Sequence, residues 1–490
     1  AFSSTETTVP LPIEIDHNRL HFLYSHSKIN HHIREMSAWN YIASVQKATA
    51  ISHLTTAFFT TSEPAGGNYD HNLVLAKSNR LEVYKLTQEG LERVIEVNLF
   101  GTISFLVTIP EHSHCDSRDL LFVGTEDPAR FSLLSFDNGK IITRSSGELH
   151  QSSLNQSKTR PMCYYDHQGK YIAIHLYQHF VKILPLTTRS HGEIVLKAGF
   201  DVRLEDPVVL DMKPLPSGHS LRQDRSAACP YMGMMCKTNH NKVVFKVMQL
   251  IFQEKELIKA MEQDLELDEH AHFIIPLSNG VLVAFPEYVA VFSYYNCSLV
   301  AKCRFNSPSP LISPKIGIID QSGALGQESS SLSTVPIHRW LIGDLSGHLL
   351  VLTCTIHQDA TSSVGTTGSV RKRQTSYDVS ASWLGQTSPP AALCYLDNNF
   401  IFIGSAHGRS QLIELHSEKT SDPDRPYLTV CEEFENLGPI PHFAVRNVER
   451  ENLDLVLCSG FEKYAALTTV RQGITISIEA EIPIDDVRGL

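Results

Sequence analysis

Apolar and polar positions along the chain follow one recurring pattern. A short apolar strand runs into a tight polar turn, and a return strand with period-two alternation follows. The first clear instance is Leu73–Ala76, with Lys77–Arg80 as the turn and Leu81–Leu86 as the return strand. The pattern recurs at Leu120–Phe136, Tyr171–Leu184, Met232–Val247, Val281–Phe292, Trp340–Thr353, Phe400–Leu415 and Leu455–Val470, with starts 47 to 61 residues apart. The sharpest turns, Gly343–Gly347 and Gly404–Gly408, place glycine where a hairpin needs positive φ. Units of ~50 residues that each hold a hairpin cannot bury both faces alone, so they stack around an axis and close. Paired β-sandwiches are the alternative, but their turn signals come every ~8–12 residues without a longer period. The pattern predicts an all-β fold, a β-propeller of about seven blades. The eighth hairpin either closes the ring or leads out of it.

Some segments break the pattern. Gln249–Leu267 sets Leu250, Leu257, Met261 and Leu265 at helical spacing. In the blade register the same residues read as a strand end, a turn and a new strand, and the β reading is kept because context overrides propensity. Gly323–Thr334 and Gln358–Ser380 are Ser-, Gly- and Thr-rich, and both are expected to be long loops on the rim. Residues 1–35 are irregular and His-rich (His17, His21, His26, His31, His32), whereas the alternating run Tyr41–Val45 follows Met36. The expected organisation is an extension over 1–35, a propeller over 36–480 and a crossover over 481–490. The chain opens on Ala1, which fits a fragment or a conceptual translation.

Composition narrows the function. Apolar residues make up 42% and charged residues 19%, enough for a sizeable core. The net charge of −11 argues against direct wrapping of nucleic acid, which needs a basic surface. The ten cysteines form no C-x-x-C pair, and several, such as Cys394 and Cys458, sit in apolar runs. They read as small buried hydrophobes in a reducing compartment rather than a disulfide framework. The longest apolar candidate, Val281–Tyr295, is broken by Pro286 and Glu287 and falls short of a membrane helix. The N-terminus lacks the continuous apolar core of a secretory leader.

Motifs that carry chemistry are not found. The sequence has no phosphate-binding glycine loop, dinucleotide fingerprint or nucleophile elbow. His112, His114 and Cys115 offer potential metal ligands, but no partner cluster follows at finger spacing, and a solvated loop explains them. Arg371–Arg373 is basic within a Ser/Thr-rich loop and reads as an exposed tip, with a nuclear address as the functional alternative. Trp39, Trp340 and Trp383 read as core packing rather than a ligand cage. A hydrolase or lyase on a propeller would need convergent His, Asp or Glu at the starts of inner strands, where the recognised units begin with apolar residues. No catalytic residue, cofactor or metal is therefore expected, and a propeller without such chemistry is an interaction module.

The units also carry a resemblance. Asn40–Ala50, Asn72–Tyr84, Glu89–Leu91 leading to Gly101, Leu341–Gly347 and Tyr395–Asn398 are similar, in order, to the N-terminal propeller of the family of damage-specific DNA-binding protein subunit one. Ile403–Ser405, Ser410–Leu412, Asn436–Ile440 and Cys458–Gly460 continue the series. The large polyadenylation-specificity subunit and a large subunit of the branch-site splicing particle share the architecture. Asn436–Ile440 and Tyr395–Asn398 look closer to the ubiquitin-ligase adaptor. That resemblance implies a non-enzymatic adaptor of a cullin–RING ubiquitin ligase that works in DNA damage response and repair, in nucleus and cytoplasm. An RNA-processing scaffold is the alternative. Receptors would dock through a helical segment, the cullin through a second propeller, and DNA through a partner subunit, with no membrane involved. Carried over by position, the partner-binding residues are Tyr395, Asp397, His407, Pro439, Ile440, Gly460 and Phe461. The sequence departs from the family at His407 (usually Leu), Ala406 (usually Arg), Ala391 (usually Glu) and Phe461 (usually small), which bears on receptor preference. Pro439 and Ile440 are expected to lie beside Phe461 on one face of the ring, with Ile440 exposed.

Overall fold

The computed structural model describes residues 47–61, 71–111, 118–150, 154–166, 168–189, 193–216, 230–261, 263–277, 279–294, 297–321, 337–358, 375–447, 453–461 and 464–471. The N-terminal extension, His112–Cys115, Trp39, Arg371–Arg373, Gly323–Thr334 and residues 481–490 lie outside them.

Within the compact unit 50–490 the described elements are strands, arranged as antiparallel sheets in chain order. Seven sheets span 53–98, 102–148, 162–203, 208–267, 273–304, 315–386 and 392–434. Each is a meander whose strands pair in sequence order, and in the third and fourth sheets two short strands share the outer position. The second strand of each sheet is the apolar half of a hairpin recognised in the sequence. Leu120–Glu126 up to Thr125, Tyr171–His175 and Gly280–Ala284 are buried on both faces, so they read as largely apolar runs rather than alternating ones. The pairing of third with outer strand carries a bulge at Val83/Tyr84, Leu133/Leu134, Val291/Phe292, Leu349/Leu350 and Leu412/Ile413. A bulge adds twist, which each sheet needs to fan outward from the axis.

Among the described residues the core lies between the sheets as seven clusters, each shared by two neighbours. The cluster of Val74, Leu81, Ile103 and Leu121 joins the first sheet to the second, and that of Leu282, Val291, Trp340 and Leu350 joins the fifth to the sixth. Ile51, Leu73 and Leu75 pack on Cys394, Phe402 and Leu412, so the seventh sheet closes directly on the first. Gly404 lies in that closure, where a Cβ would stand 2.7 Å from Ile51. Gly347 is the turn glycine that does need its conformational freedom, with φ +81. Gly343 and Gly404, expected to supply positive φ as well, instead permit close approach.

First strands meet around the axis from the first sheet through to the fifth, from the sixth to the seventh, and from the seventh back to the first. They are therefore the innermost strands. Second-to-third turns and the links between sheets emerge at one end of the ring, here the near face. First-to-second and third-to-outer turns emerge at the other, the far face.

The eighth hairpin does not close the ring. It belongs to a separate three-stranded sheet, His442–Asn447, Leu453–Ser459 and Ala466–Arg471, with Phe443, Val445 and Leu467 exposed. Gln249–Leu267 is β, as strands ending at Ile251 and spanning Glu256–Lys259 and Leu265–Leu267, with Leu250, Met261 and Leu265 buried. The expected loop Gln358–Ser380 is strand at both described ends, Gln358 and Thr375–Ser380, and its residues 359–374 lie outside the described residues. In Thr375–Ser380 alternating exposure turns Tyr377 and Val379 onto the core between the fifth and sixth sheets.

The described cysteines are free thiols, and Cys163, Cys236, Cys354 and Cys394 are buried as expected. Cys431 and Cys458 are exposed, because each falls on the solvent side of its strand. Trp340 is core. No described helix is long and apolar enough to cross a membrane, and the described residues hold no cluster able to bind a metal.

Candidate functional site

The near face of the seventh sheet is built on a serine turn. Ser405 Oγ donates to Pro389 O at 2.7 Å and accepts from the amides of His407 (3.2 Å) and Gly408 (2.9 Å). Its amide donates to Ser410 Oγ at 3.0 Å. Asn436 is buried against this turn. Its Nδ2 donates to Ser405 O (3.3 Å) and Gly408 O (3.0 Å), and its Oδ1 accepts from Gly438 N at 3.0 Å. Asn436 thereby fixes where the chain leaves the ring and sets the direction of Pro439 and Ile440.

The chain then returns to the same spot from the separate sheet. Gly460 N donates to Pro439 O at 3.0 Å, and Phe461 N donates to His407 O at 3.1 Å. Gly460 has φ +85, and a Cβ there would lie 2.4 Å from Tyr464 O. The Tyr464 hydroxyl accepts from Gln386 Nε2 at 2.9 Å and lies 2.7 Å from Thr387 O and 3.0 Å from Ser346 O. It anchors the returning segment on the sixth sheet and on the link that leaves it for the seventh.

The surface that results is apolar and fixed in place. The rings of His407 and Phe461 meet edge to face with centroids 6.0 Å apart. Phe461 and Ile440 are each 43% exposed. Burial, with the nearby charge of Arg160, holds the His407 imidazole below its usual range, so the ring favours its neutral form. An ordered, partly exposed patch of this kind can serve as an anchor for an apolar side chain of a partner.

Five of the seven sequence candidates, His407, Pro439, Ile440, Gly460 and Phe461, gather here. Tyr395 and Asp397 do not. They sit at the end of the seventh sheet's first strand and in the turn after it, hence on the far face. Both are used by their own turn. Tyr395 Oη accepts from Asn399 N at 3.1 Å, and Asp397 accepts from Asn398 N at 2.7 Å. Asn398 and Asn399 carry the positive φ of that turn, which accounts for the motif locally. Asn436, Tyr464 and Gln386 were not predicted as part of the site, since their contacts span up to 118 residues and leave no local signal.

The family model of the RSE1/DDB1/CPSF1 first β-propeller matches residues 50–449. Over 463 residues the chain is 29% identical to DNA damage-binding protein 1 of Oryza sativa subsp. japonica, covering 93% of this chain and 37% of that protein. It is 28% identical to DNA damage-binding protein 1b of Arabidopsis thaliana and 29% to DNA damage-binding protein 1 of Solanum lycopersicum, with the same coverages. The chain thus spans little more than a third of the length of these relatives. The ring of sheets and the match over most of its length agree, and the chain belongs to the RSE1/DDB1/CPSF1 first β-propeller family.

Proposed function

We propose that this chain is a non-enzymatic docking propeller that presents substrate receptors within a cullin–RING ubiquitin ligase adaptor, acting in the DNA damage response. The observation that carries this reading is the near-face patch. Ile440 and Phe461 are apolar and exposed; Phe461 is held by its amide on His407 O, and Ile440 follows Pro439, whose carbonyl accepts from Gly460 N. A helical receptor segment could lay its apolar side on such a patch. The names of the relatives, DNA damage-binding protein 1, support the repair context. The acidic net charge of −11 supports contact with DNA through a partner rather than directly. In this reading the cullin docks on a second propeller outside this chain, and the assembly works in nucleus and cytoplasm.

Affinity purification of the tagged chain from nuclear extract tests the assignment. Recovery of substrate receptors is the expected result. Recovery of polyadenylation or splicing subunits without receptors would replace it with an RNA-processing scaffold.

A further inference from the structure

Three basic side chains from three different sheets reach the near end of the ring's axis. His53 is the first residue of the first sheet's innermost strand, and Lys315 is the first residue of the sixth sheet's. Arg160 lies just before Met162, where the third sheet's innermost strand begins. All innermost strands run the same way from the near face, so these positions converge on one mouth of the axial channel. Arg160 is close enough to act electrostatically on His53, Lys315 and His407. Ser104, near the same end of the second sheet's innermost strand, has a buried hydroxyl with no described partner.

This grouping is costly as it stands. Arg160 and Lys315 form no ion pair with a described carboxylate, in a chain whose acidic residues outnumber its basic ones by 53 to 42. Asp211 is the carboxylate whose field reaches Lys315, but it is already engaged. It accepts from Tyr164 Oη (3.1 Å), Met212 N (2.9 Å) and Ile274 N (3.0 Å), with Lys213 Nζ at 3.9 Å. Lys213 is satisfied in a second way, 3.9 Å from the Tyr164 ring centre. The mouth, by contrast, gathers Arg160 and Lys315 without an ion-pair partner among the described carboxylates, and Asp211 acts on Lys315 only through its field. Burial and the two neighbouring cations hold His53 down to about 4, and burial and Arg160 lower Lys315. Like charges gathered in a partly desolvated space are stabilised by an anion placed between them.

We propose that the near mouth of the axial channel is a phosphate-binding site, with Arg160 and Lys315 as its main cations and His53 beside them. Arginine's planar fork can engage two phosphate oxygens and lysine supplies a point charge, a pairing suited to a multiply charged oxyanion. The site does not depend on which protein docks on the neighbouring patch.

Isothermal titration of the whole chain with inorganic phosphate and, separately, with inositol hexakisphosphate tests it. Binding of both assigns a single-phosphate site, whereas binding of the hexakisphosphate alone assigns a polyphosphate ligand. Arg160→Gln and Lys315→Gln should each weaken binding by ~10-fold or more. Arg130→Gln, which removes a guanidinium paired with Glu148 on the outer surface, should leave it unchanged. In phosphate-free buffer Lys315→Met should melt no lower than the parent chain, because it relieves repulsion. The proposal fails if neither anion binds at millimolar concentration, if the double variant Arg160→Gln/Lys315→Gln binds as well as the parent, or if Lys315→Met alone melts lower without phosphate.

Discussion

Asn436→Ala is the perturbation that tests most closely how the exit from the ring is held. The side chain supplies two donors and one acceptor in a buried place, to Ser405 O, Gly408 O and Gly438 N. Ser405 O keeps a second donor, the amide of Ile51 at 3.2 Å, so its loss is small. Gly408 O and Gly438 N lose the partners described here. A buried group left unpaired costs about 1–3 kcal/mol, which puts the loss near 3 kcal/mol for the pair. Unfolding entropy of about 2.1 cal/mol/K per residue gives roughly 0.8 kcal/mol/K for a ring of this size, so the melting temperature should fall by about 4 °C. Hydrogen exchange should quicken at Gly438 and Gly408 while amides such as Ile172 and Leu282, in doubly buried strands, keep their protection. An Asn436→Ala chain with unchanged melting and unchanged exchange at these amides would refute the reasoning.

Other consequences can be measured separately. Tyr464→Phe removes the hydroxyl that accepts from Gln386, and should free the 460–464 segment at a cost of ~1–2 kcal/mol, seen as faster exchange at Phe461 with little change in ring melting. Gly404→Val would put side-chain atoms into Ile51, already 2.7 Å from an added Cβ, and should destabilise the ring closure by ~1–3 kcal/mol in urea titration. Glu82 is buried, which opposes its charge, yet Lys77 (2.7 Å), Tyr84 and Arg80 (2.7 Å) hold its carboxyl below the usual range. A lowered folded pKa stabilises above the unfolded value of ~4.3 and is lost as pH falls through the folded one. Glu82→Gln should therefore be less stable than the parent at neutral pH, with the gap closing in acid, as melting curves across pH will show.

What was legible in the sequence follows from burial. The second and third strands of each sheet were found because strands such as Asn72–Lys77 are buried on both faces and their hairpins are tight. Outer strands such as Gly90–Asn98 are half polar and half exposed, and do not stand out from loops. Thr375–Ser380 was missed for the same reason, since its exposed positions are Ser and Asp. Cys458 was misjudged because its apolar neighbours suggested burial that the separate sheet does not provide.

The site was legible only in part. Tyr395–Asn398 and Ser405–Gly408 are one strand apart, but an antiparallel meander alternates faces at each turn, and motif matching does not register this. His53, Arg160 and Lys315 stand far apart in sequence, where each looks like an ordinary surface cation. Ring closure alone puts them at one mouth.

The central claim, that the near-face patch receives a helical partner, is tested most directly by binding of a receptor's helical segment to Ile440→Asp and Phe461→Asp. Both residues are 43% exposed, so each substitution forfeits about half of a full burial, ~1–1.5 kcal/mol of stability. Both variants should stay folded, melting within a few degrees of the parent chain. Each should lose ~2 kcal/mol or more of binding, about a 30-fold rise in Kd. Folded variants that bind the segment as tightly as the parent would contradict the account.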